Sequence, residues 1–506
     1  MKKPIRLLDL MFYLLESHNN PKHVAALQIF QMPPEAGDDY LITLVEQLRR
    51  LPVIEPFNFK PVIQRLGMPQ WQSVENIEME YHLRHSALPK PGNMNQLMAV
   101  AQRLHTGILD RARPGWICQV IEGLEGNRFA IYFKIHHAYI DGMSAVIRIY
   151  GSLSLDPHSE KVDAFWSHQA LSEGSAKKRK QSKTAAAQLR DAGKAALSQI
   201  GAIGELNKQL LKVGMELVKL NKHTGHIPFK APHTQVNNPL HSDLRSMGVT
   251  SMPVDQLKQI GKEAGCTLND VVLTIIDAAL HDYLARHEDD PDQPLVAMCP
   301  MSLRDADDTT ANTQATILLV ELGQPAAGLR KRLAQIAESA RRAKADAGEM
   351  SREGLMDFAM LVMSILEISQ STGLNQILPQ SSNLLVSNVP GPKTENMYLM
   401  GSRMEAIYPL TTLGAGNNLM ITLLSHGNSL DFGVLAAHGT LPDIDYLVER
   451  LNRQFEALAK EFRVRATTGH KIRAKRKTAT RATVKAKVRA RSKARDSIVK
   501  PLSAAR

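Results

Sequence analysis

One stretch of sequence decides the fold: Phe129-Ala-Ile-Tyr-Phe-Lys-Ile-His-His-Ala-Tyr-Ile-Asp-Gly142. Residues 129–135 are aromatic, β-branched and mostly apolar, which predicts a strand. The closing Gly142 permits backbone angles that other residues avoid, and an apolar, helix-like run follows at 143–150. A strand that ends at a tight turn presents side chains to a cleft. The stretch therefore predicts a strand–turn–helix unit with a functional site at its turn.

The two histidines at the end of the predicted strand are the candidates for chemistry. An imidazole has a pKa near neutrality, which suits the removal of a proton from a hydroxyl. Neighbouring residues of an extended chain point to opposite sides, so one histidine faces a substrate and the other packs or forms hydrogen bonds. Asp141 either pairs with a cation or holds the turn. The alternatives are a structural histidine pair and a zinc site; because no further ligands stand at familiar spacing, we predict no metal.

The chain divides into four segments on either side of this motif. Residues 1–156 and 239–465 each interleave predicted strands and helices, which predicts two α/β domains. Residues 157–238 form a link whose apolar residues recur at helical spacing over 200–220. This helix either packs across the two domains or lies on a membrane surface. The tail, 466–506, has too few apolar residues to fold alone.

Within residues 239–465, which are called the second block below, the patterns predict five strands and four helices. Strands are predicted at 295–299, 316–322, 384–387, 419–425 and 430–436. Helices are predicted at 254–265, 268–287, 328–347 and 443–462.

Charge and cysteine content narrow the class of protein. The chain is 43% hydrophobic and 22% charged, which is ordinary for a globular protein. The tail carries 14 of the 62 lysines and arginines but one of the 50 acidic residues, so the net charge of +12 belongs to an appendage. Three widely spaced cysteines predict no disulfide framework and a reducing compartment. With no signal peptide and no run of roughly 20 apolar residues, we expect a cytoplasmic protein, soluble or peripheral to a membrane.

Several reaction classes are disfavoured by the motifs that the sequence lacks. It has no GxSxG turn of the kind that serine hydrolases use. It also has neither GxxxxGK[ST] nor GxGxxG, which disfavours nucleotide- and dinucleotide-binding folds.

The motif and several other segments resemble one family. Residues 136–142 match the HHxxxDG motif of the bacterial wax ester synthase/diacylglycerol acyltransferase family, which is shared with peptide-synthetase condensation domains. Further matching segments are Leu8-Asp-Leu-Met-Phe12 with Glu16-Ser17, Pro21-Lys-His-Val24, Pro114-Gly-Trp116, the 121–129 lead-in to the motif, Leu268-Asn-Asp-Val-Val-Leu273, Pro300-Met-Ser-Leu-Arg304 and Ser387-Asn-Val-Pro-Gly-Pro392. The resemblance covers residues 4–462. Where relatives often carry an Arg-Asp pair, this chain has Ala437-His438.

The resemblance implies a fold and an activity. Two chloramphenicol-acetyltransferase-like domains, joined by a helical linker, would enclose the active site at their interface. The enzyme would move a long-chain fatty acyl group from acyl-CoA to a fatty alcohol or a diacylglycerol. Acyl-CoA would be a substrate, and no cofactor is expected. A membrane surface or lipid droplet would be contacted through the tail and the 200–222 helix.

The resemblance also implies roles for particular residues. His137 would be the general base, with His136 and Gly142 beside it in the motif. Asp141 would hold the loop through an ion pair with Arg304. Asn269 would either donate to the oxyanion or cap its helix together with Asp270. Ser387 and Asn388 would shape the domain interface, and Trp116 would pack in the core.

Two other functions stay open at this point. One is a condensation enzyme that acts on a non-lipid acceptor, which the absence of a visible carrier domain disfavours. The other is nucleic-acid binding by the basic tail, which would be independent of base sequence and dependent on salt. The same tail would equally bind anionic lipid headgroups.

Overall fold

The computed structural model describes residues 1–63, 68–169, 231–239, 242–302, 315–349, 380–394, 396–414 and 416–464, with residues 354, 355, 362, 366 and 369. Four predicted features lie outside these residues: most of the 157–238 link, its 200–222 helix, Arg304 and the tail. Residues Met1–Arg465 form one unit by their contacts.

The described residues form strands and helices in alternation. The strands are β1 (Lys2–Pro4), β2 (His23–Gln31), β3 (Phe59–Val62), β4 (Gln70–Ser73), β5 (Leu83–Ala87), β6 (Trp116–Leu124), β7 (Arg128–His136), β8 (Arg245–Pro253), β9 (Val296–Ser302), β10 (Ala315–Glu321), β11 (Leu384–Val389), β12 (Tyr398–Leu399), β13 (Ser402–Leu410), β14 (Leu419–His426) and β15 (Ser429–Ala437). The helices are α1 (Leu7–Leu15), α2 (Tyr40–Arg50), α3 (Met79–His82), α4 (Met94–His105), α5 (Gly142–Gly151), α6 (Val254–Ala264), α7 (Leu268–Arg286), α8 (Leu329–Gly348) and α9 (Ile444–Glu461). The mixed α/β class is confirmed.

Two six-stranded sheets carry the architecture. The first has the order β12-β13-β2-β7-β6-β5, and the second has the order β10-β9-β11-β14-β15-β8. A small sheet, β1-β4-β3, completes the set among the described residues. The strand predicted from the opening motif, β7, lies inside the first sheet and pairs with β2 and β6 along its two edges, and its residues from Phe129 to His136 are buried on both faces.

The elements predicted for 239–465 are confirmed, and each lies within three residues of its predicted bounds. One part of the topology does not follow the sequence blocks. Strands β12 and β13 lie in the second block, but β13 pairs with β2 and so belongs to the first sheet. The division at residue 239 therefore describes the chain order, whereas the first sheet draws strands from both sides of it.

The two sheets meet through a shared core. One hydrophobic cluster combines Leu27 and Tyr132 of the first sheet with Met247, Met298 and Leu435 of the second. Burial of about 25 cal/mol per Å² of apolar surface is what holds such faces together. Tyr132 therefore lies on the face of β7 that looks toward the second sheet.

Strand β13 makes the closest crossing between the sheets. A Cβ atom added to Gly433 of β15 would lie 1.7 Å from the carbonyl oxygen of Pro409 on β13. Only a glycine allows the two backbones to approach so closely. This contact fixes the distance between the sheets near one end of the interface.

None of the helices in the described part of the chain is long and apolar enough to span a bilayer.

Candidate active site

The two histidines are held by backbone hydrogen bonds at the end of β7. His136 is the last residue of the strand and pairs with His23 on β2. Its N–H donates to the carbonyl of Gly115 at 2.8 Å, and the N–H of His137 donates to the carbonyl of Lys22 at 2.9 Å. The position of both rings is therefore set by neighbouring strands and by the loop before β2.

His136 is buried against the C-terminal part of α1. Its ring stacks on Tyr13 with 3.9 Å between centroids. Its Nδ1 accepts a hydrogen bond from the N–H of Ala138 at 3.2 Å, which leaves the proton of a neutral ring on Nε2. That Nε2 lies 3.5 Å from Oε1 of Glu16. His136 is thus the packed member of the pair.

Glu16 is the buried counterpart of His136. Burial alone would raise its pKa, but the hydrogen bond and charge of His136, the N–H of Lys22 and the guanidinium of Arg111 together lower it. Oε2 of Glu16 lies 3.0 Å from Nη2 of Arg111. The carboxylate therefore stays ionised beneath the histidine loop.

His137 is the exposed member of the pair. Its side chain is partly exposed, whereas His136 is buried. Its ring stacks on Phe12, with centroids 4.3 Å apart and an interplanar angle of 15°. The surrounding atoms exclude water from the ring, and this lowers the pKa of His137 from 6.5 to about 4, although its own backbone and Asp141 act in the opposite direction. The imidazole is therefore neutral at physiological pH and available as a base.

Asp141 and Gly142 begin the helix that follows the motif. Asp141 is the N-cap of α5, and its carboxylate accepts a hydrogen bond from the N–H of Ser144 at 2.8 Å. The expectation that Gly142 needs glycine's backbone freedom is wrong, because its φ lies outside the left-handed region. A Cβ added there would lie 3.8 Å from Cγ2 of Val389. That is an ordinary van der Waals distance, so neither the backbone angles nor the packing around this position requires glycine.

The predicted cap of α7 is also corrected. Thr267 is the N-cap: its hydroxyl accepts from the N–H of Asp270, and Asp270 accepts from the N–H of Thr267 at 2.8 Å. Asp270 is therefore the second half of a capping box. Asn269 is not the cap, and its side chain is partly exposed on the first turn of the helix. The sequence places the cap two or three residues too late because threonine, asparagine and aspartate are all favourable at this position.

Ser387 and Asn388 end β11, which leads into a turn against α5. Ser387 is partly exposed and Asn388 is exposed. In the turn that follows, the N–H of Gly391 donates to Oγ of Ser425 at 2.8 Å, and the hydroxyl of Tyr150 on α5 donates to the carbonyl of Ser425 at 3.3 Å. A Cβ at Gly391 would lie 1.9 Å from that carbonyl oxygen. The turn that follows β11 thus packs against α5, and the interface role of Ser387 and Asn388 stays a prediction.

Second-block residues also reach the loop that holds His137. Oγ1 of Thr412 donates to the carbonyl of Pro21 at 2.6 Å, one residue before Lys22. Two residues from beyond residue 239 therefore lie near the motif or its supporting loop: Thr412 contacts Pro21, and Val389 lies near Gly142.

Sequence reasoning quoted Phe12 and Glu16 as part of a matching segment but assigned them no role, and it overlooked Tyr13 and Arg111. The signal for Phe12, Tyr13 and Glu16 is a short apolar helix followed by an acidic residue, whereas Arg111 lies in a loop far from it in sequence. The contact partners of that helix depend on long-range packing, which the local pattern does not contain. Trp116 was interpreted correctly: it is fully buried, and its Nε1 donates to the carbonyl of Phe57 at 2.9 Å.

Comparisons with known proteins identify the family. The model described as the wax ester synthase/diacylglycerol acyltransferase catalytic domain matches residues 5–272, and the WS/DGAT C-terminal domain matches residues 312–459. The O-acyltransferase WSD of Acinetobacter baylyi is 32% identical over 90% of this chain and 96% of its own. The probable diacyglycerol O-acyltransferase Tgs4 of Mycobacterium tuberculosis is 33% identical over 92% of this chain and 98% of its own.

Solved structures agree with these matches. The wax ester synthase/diacylglycerol acyltransferase from Marinobacter aquaeolei VT8 superposes with a TM-score of 0.73 at 27% identity, covering 91% of this chain and 100% of that one. The first condensation domain of the calcium-dependent antibiotic synthetase has a TM-score of 0.52 at 14% identity over 91% of this chain and 97% of its own, which is a likeness of fold. The chain belongs to the wax ester synthase/diacylglycerol acyltransferase family.

Proposed function

We propose that this chain is an O-acyltransferase that moves a long-chain fatty acyl group from acyl-CoA to a fatty alcohol, a diacylglycerol, or both. Family membership and the names of its relatives support the reaction type. The observation that carries the proposal is His137, a neutral and partly exposed imidazole at the end of β7. Residues from both halves of the chain lie beside the segments that hold this ring, namely Thr412 against Pro21 and Val389 near Gly142.

The reaction proceeds by direct transfer. His137 takes the proton of the acceptor hydroxyl as the oxygen attacks the thioester carbonyl. The tetrahedral oxyanion then collapses, the carbon–sulfur bond breaks, and the CoA thiolate leaves and recovers the proton from the imidazolium. We assign the acceptor to Nε2, because Nδ1 is the ring nitrogen that lies closer to the residue's own backbone. General base action contributes on the order of 10²–10⁴-fold, and positioning supplies more.

We assign supporting roles to further residues of the motif and of the other matching segments. Asp141 holds the start of α5 by its cap, and the proposed partner for its charge is Arg304. Asn269, partly exposed on the first turn of α7, is the candidate donor to the oxyanion. Ser387 and Asn388 shape the interface where β11 ends.

No acyl-enzyme and no cofactor are required. Burial raises the pKa of all three cysteine thiols, to about 12 for Cys299 and about 11 for Cys266. A thiol in this state is a poor nucleophile at neutral pH. Cys118 and Cys299 are also buried away from solvent.

Peripheral membrane contact completes the proposal. The acceptor and the product are lipids, so the enzyme must work at a lipid surface. The basic tail would be attracted to anionic headgroups by about 1 kcal/mol per lysine or arginine near the surface. Cosedimentation of the full chain with anionic and neutral vesicles, beside a chain that ends at residue 465, tests this contact separately from catalysis. If both chains bind anionic vesicles equally, the tail is not the contact.

The test of the reaction is an assay with defined substrates. Purified protein receives labelled palmitoyl-CoA with hexadecanol, dioleoylglycerol or neither, and the lipid products are resolved. We expect ester formation with at least one acceptor and its loss in His137→Ala, with unchanged circular dichroism. His158→Ala, which removes an exposed histidine, is the matched control. Full turnover by His137→Ala would refute the base assignment, and transfer to neither lipid would refute the acceptor class.

A further inference from the structure

Two consecutive aromatic residues of α1 stack on the two consecutive histidines of the motif. The ring of Phe12 lies 4.3 Å from that of His137 at an angle of 15°. The ring of Tyr13 lies 3.9 Å from that of His136 at 9°. Both pairs are close to parallel, so α1 covers a face of each imidazole.

The end of α1 is fixed against this loop by hydrogen bonds and charge. Glu16 directly follows the helix, and its side chain is 1% exposed. Its Oε1 accepts from the N–H of Lys22 at 3.2 Å, and the carbonyl of Lys22 accepts from the N–H of His137. Nη2 of Arg111 donates both to Glu16 and to the carbonyl of Tyr13, at 3.0 and 2.9 Å. The position of Phe12 over His137 is therefore fixed by the hydrogen bonds of Glu16 and by those of Arg111.

The contact has a specific consequence for a catalytic imidazole. The terminal side-chain torsion of histidine is broad, so the plane of an exposed ring is poorly defined without a neighbour. A flat aromatic ring against one face restricts this torsion and leaves the ring edge, with its nitrogen atoms, free. It also removes water from that face, which disfavours the charged form of the ring.

We propose that Phe12 is a positioning residue for His137: it sets the plane of the imidazole and shields one face of the ring from water. This inference rests on the proposed function, in which His137 is the base. Phe12 does not touch the reacting atoms. It acts by restricting the orientation of the ring that removes the proton.

The simpler alternative is that Phe12 only fills space at the edge of the core. Phe12 does pack against a buried apolar cluster that includes Tyr13, Trp116 and Ile135, and it is partly exposed. A space-filling role requires volume, and an aliphatic side chain can supply that. A positioning role requires a flat face. Variants that keep one property and remove the other separate the two roles.

The experiment compares four variants of the full chain. Phe12→Leu and Phe12→Met keep apolar volume, Phe12→Tyr keeps the ring face, and Leu14→Ala alters an exposed residue of the same helix as a control. We expect Phe12→Leu and Phe12→Met to lower kcat by about tenfold while KM for acyl-CoA changes less than about twofold, because a small loss of orientation acts on the chemical step. The pH below which kcat/KM falls should be higher in these two variants than in the wild type. Phe12→Tyr and Leu14→Ala should match the wild type.

A second readout does not depend on turnover. Diethylpyrocarbonate acylates neutral, accessible imidazoles, and mass spectrometry of the peptide that contains residues 136–137 measures its rate at each pH. We expect faster modification of His137 in Phe12→Leu above pH 7 and a midpoint shifted toward 6.5. If Phe12→Leu folds poorly and loses activity for that reason, the modification rates of Phe12→Met and Phe12→Tyr are compared instead.

The outcomes separate the two proposals. If His137→Ala is inactive but Phe12→Leu and Phe12→Met keep the wild-type kcat, acid limb and modification rate, Phe12 is a space filler and this inference is wrong. If His137→Ala keeps full activity, the proposed function is wrong instead. A tenfold loss of kcat that Phe12→Tyr does not show, with the altered modification rate, supports the positioning role.

Discussion

Asp431 on β15 is a buried carboxyl group that joins the two sheets. It accepts hydrogen bonds from Oγ of Ser251 at 2.7 Å, from Oγ of Ser429 at 2.6 Å and from the N–H of Ile407 at 2.8 Å. Ile407 lies on β13, which belongs to the first sheet. Burial raises the pKa of Asp431 from 3.8 to about 6, although these hydrogen bonds act to lower it. We predict that ionisation of this group weakens the fold as the pH rises.

The magnitude follows from the two pKa values. The folded pKa is the higher one, so between pH 3.8 and about 6 the folded state holds a proton that the unfolded state has released. The stability that this proton provides is complete below pH 3.8 and is lost as the pH rises through about 6. A raise of about two pKa units corresponds to about 3 kcal/mol. Roughly half of that, about 1.4 kcal/mol, is lost between pH 5 and 7.5.

The assay compares the wild type with Asp431→Asn, whose amide does not titrate. Denaturant unfolding at pH 5, 6 and 7.5 gives the free energy of unfolding of each protein, and the difference between them cancels all other titrating groups. We expect the free energy of unfolding of the variant, relative to that of the wild type, to rise by about 1–2 kcal/mol between pH 5 and pH 7.5. A difference that is the same at all three pH values would mean that Asp431 does not bind its proton more tightly in the fold.

Four further outcomes are expected. Because the pKa of His137 is about 4, kcat/KM should stay constant from pH 8 to about 5 and fall to half near pH 4. If kcat/KM of the folded protein instead falls to half near pH 6.5, the ring is open to water. Gly391→Ala should lower the free energy of unfolding by about 3 kcal/mol or more in denaturant titrations, because the new Cβ meets a backbone carbonyl; a neutral effect would place the turn elsewhere. Asp141→Ala should lose about 1 kcal/mol through the missing cap while Asp141→Asn keeps it, and equal losses by thermal unfolding would assign the effect to charge. Acyl transfer should persist when all three cysteines, Cys118, Cys266 and Cys299, are replaced by alanine. Loss of transfer in a protein that still folds would indicate a covalent acyl-enzyme intermediate.

The positions of individual strands and helices along the chain could be predicted from the sequence alone. The apolar, β-branched run before His136 predicted β7, and the helical spacing after Thr267 and after Asp443 predicted α7 and α9 within two residues. Such patterns are readable because backbone dihedrals and the buried face of an element depend on residues a few positions apart. The histidine motif and its place at a strand end were readable for the same reason.

Tertiary structure alone decided which distant segments meet. Nothing in β13 marks it as a partner of β2, almost 380 residues earlier; that pairing depends on the burial of both faces and on the close approach that Gly433 allows. The same holds for Phe12 over His137 and for Glu16 beside His136. Local sequence determines which residues can form a strand, a helix or a cap. Packing between remote surfaces determines which imidazole is buried, which is partly exposed, and what holds its plane.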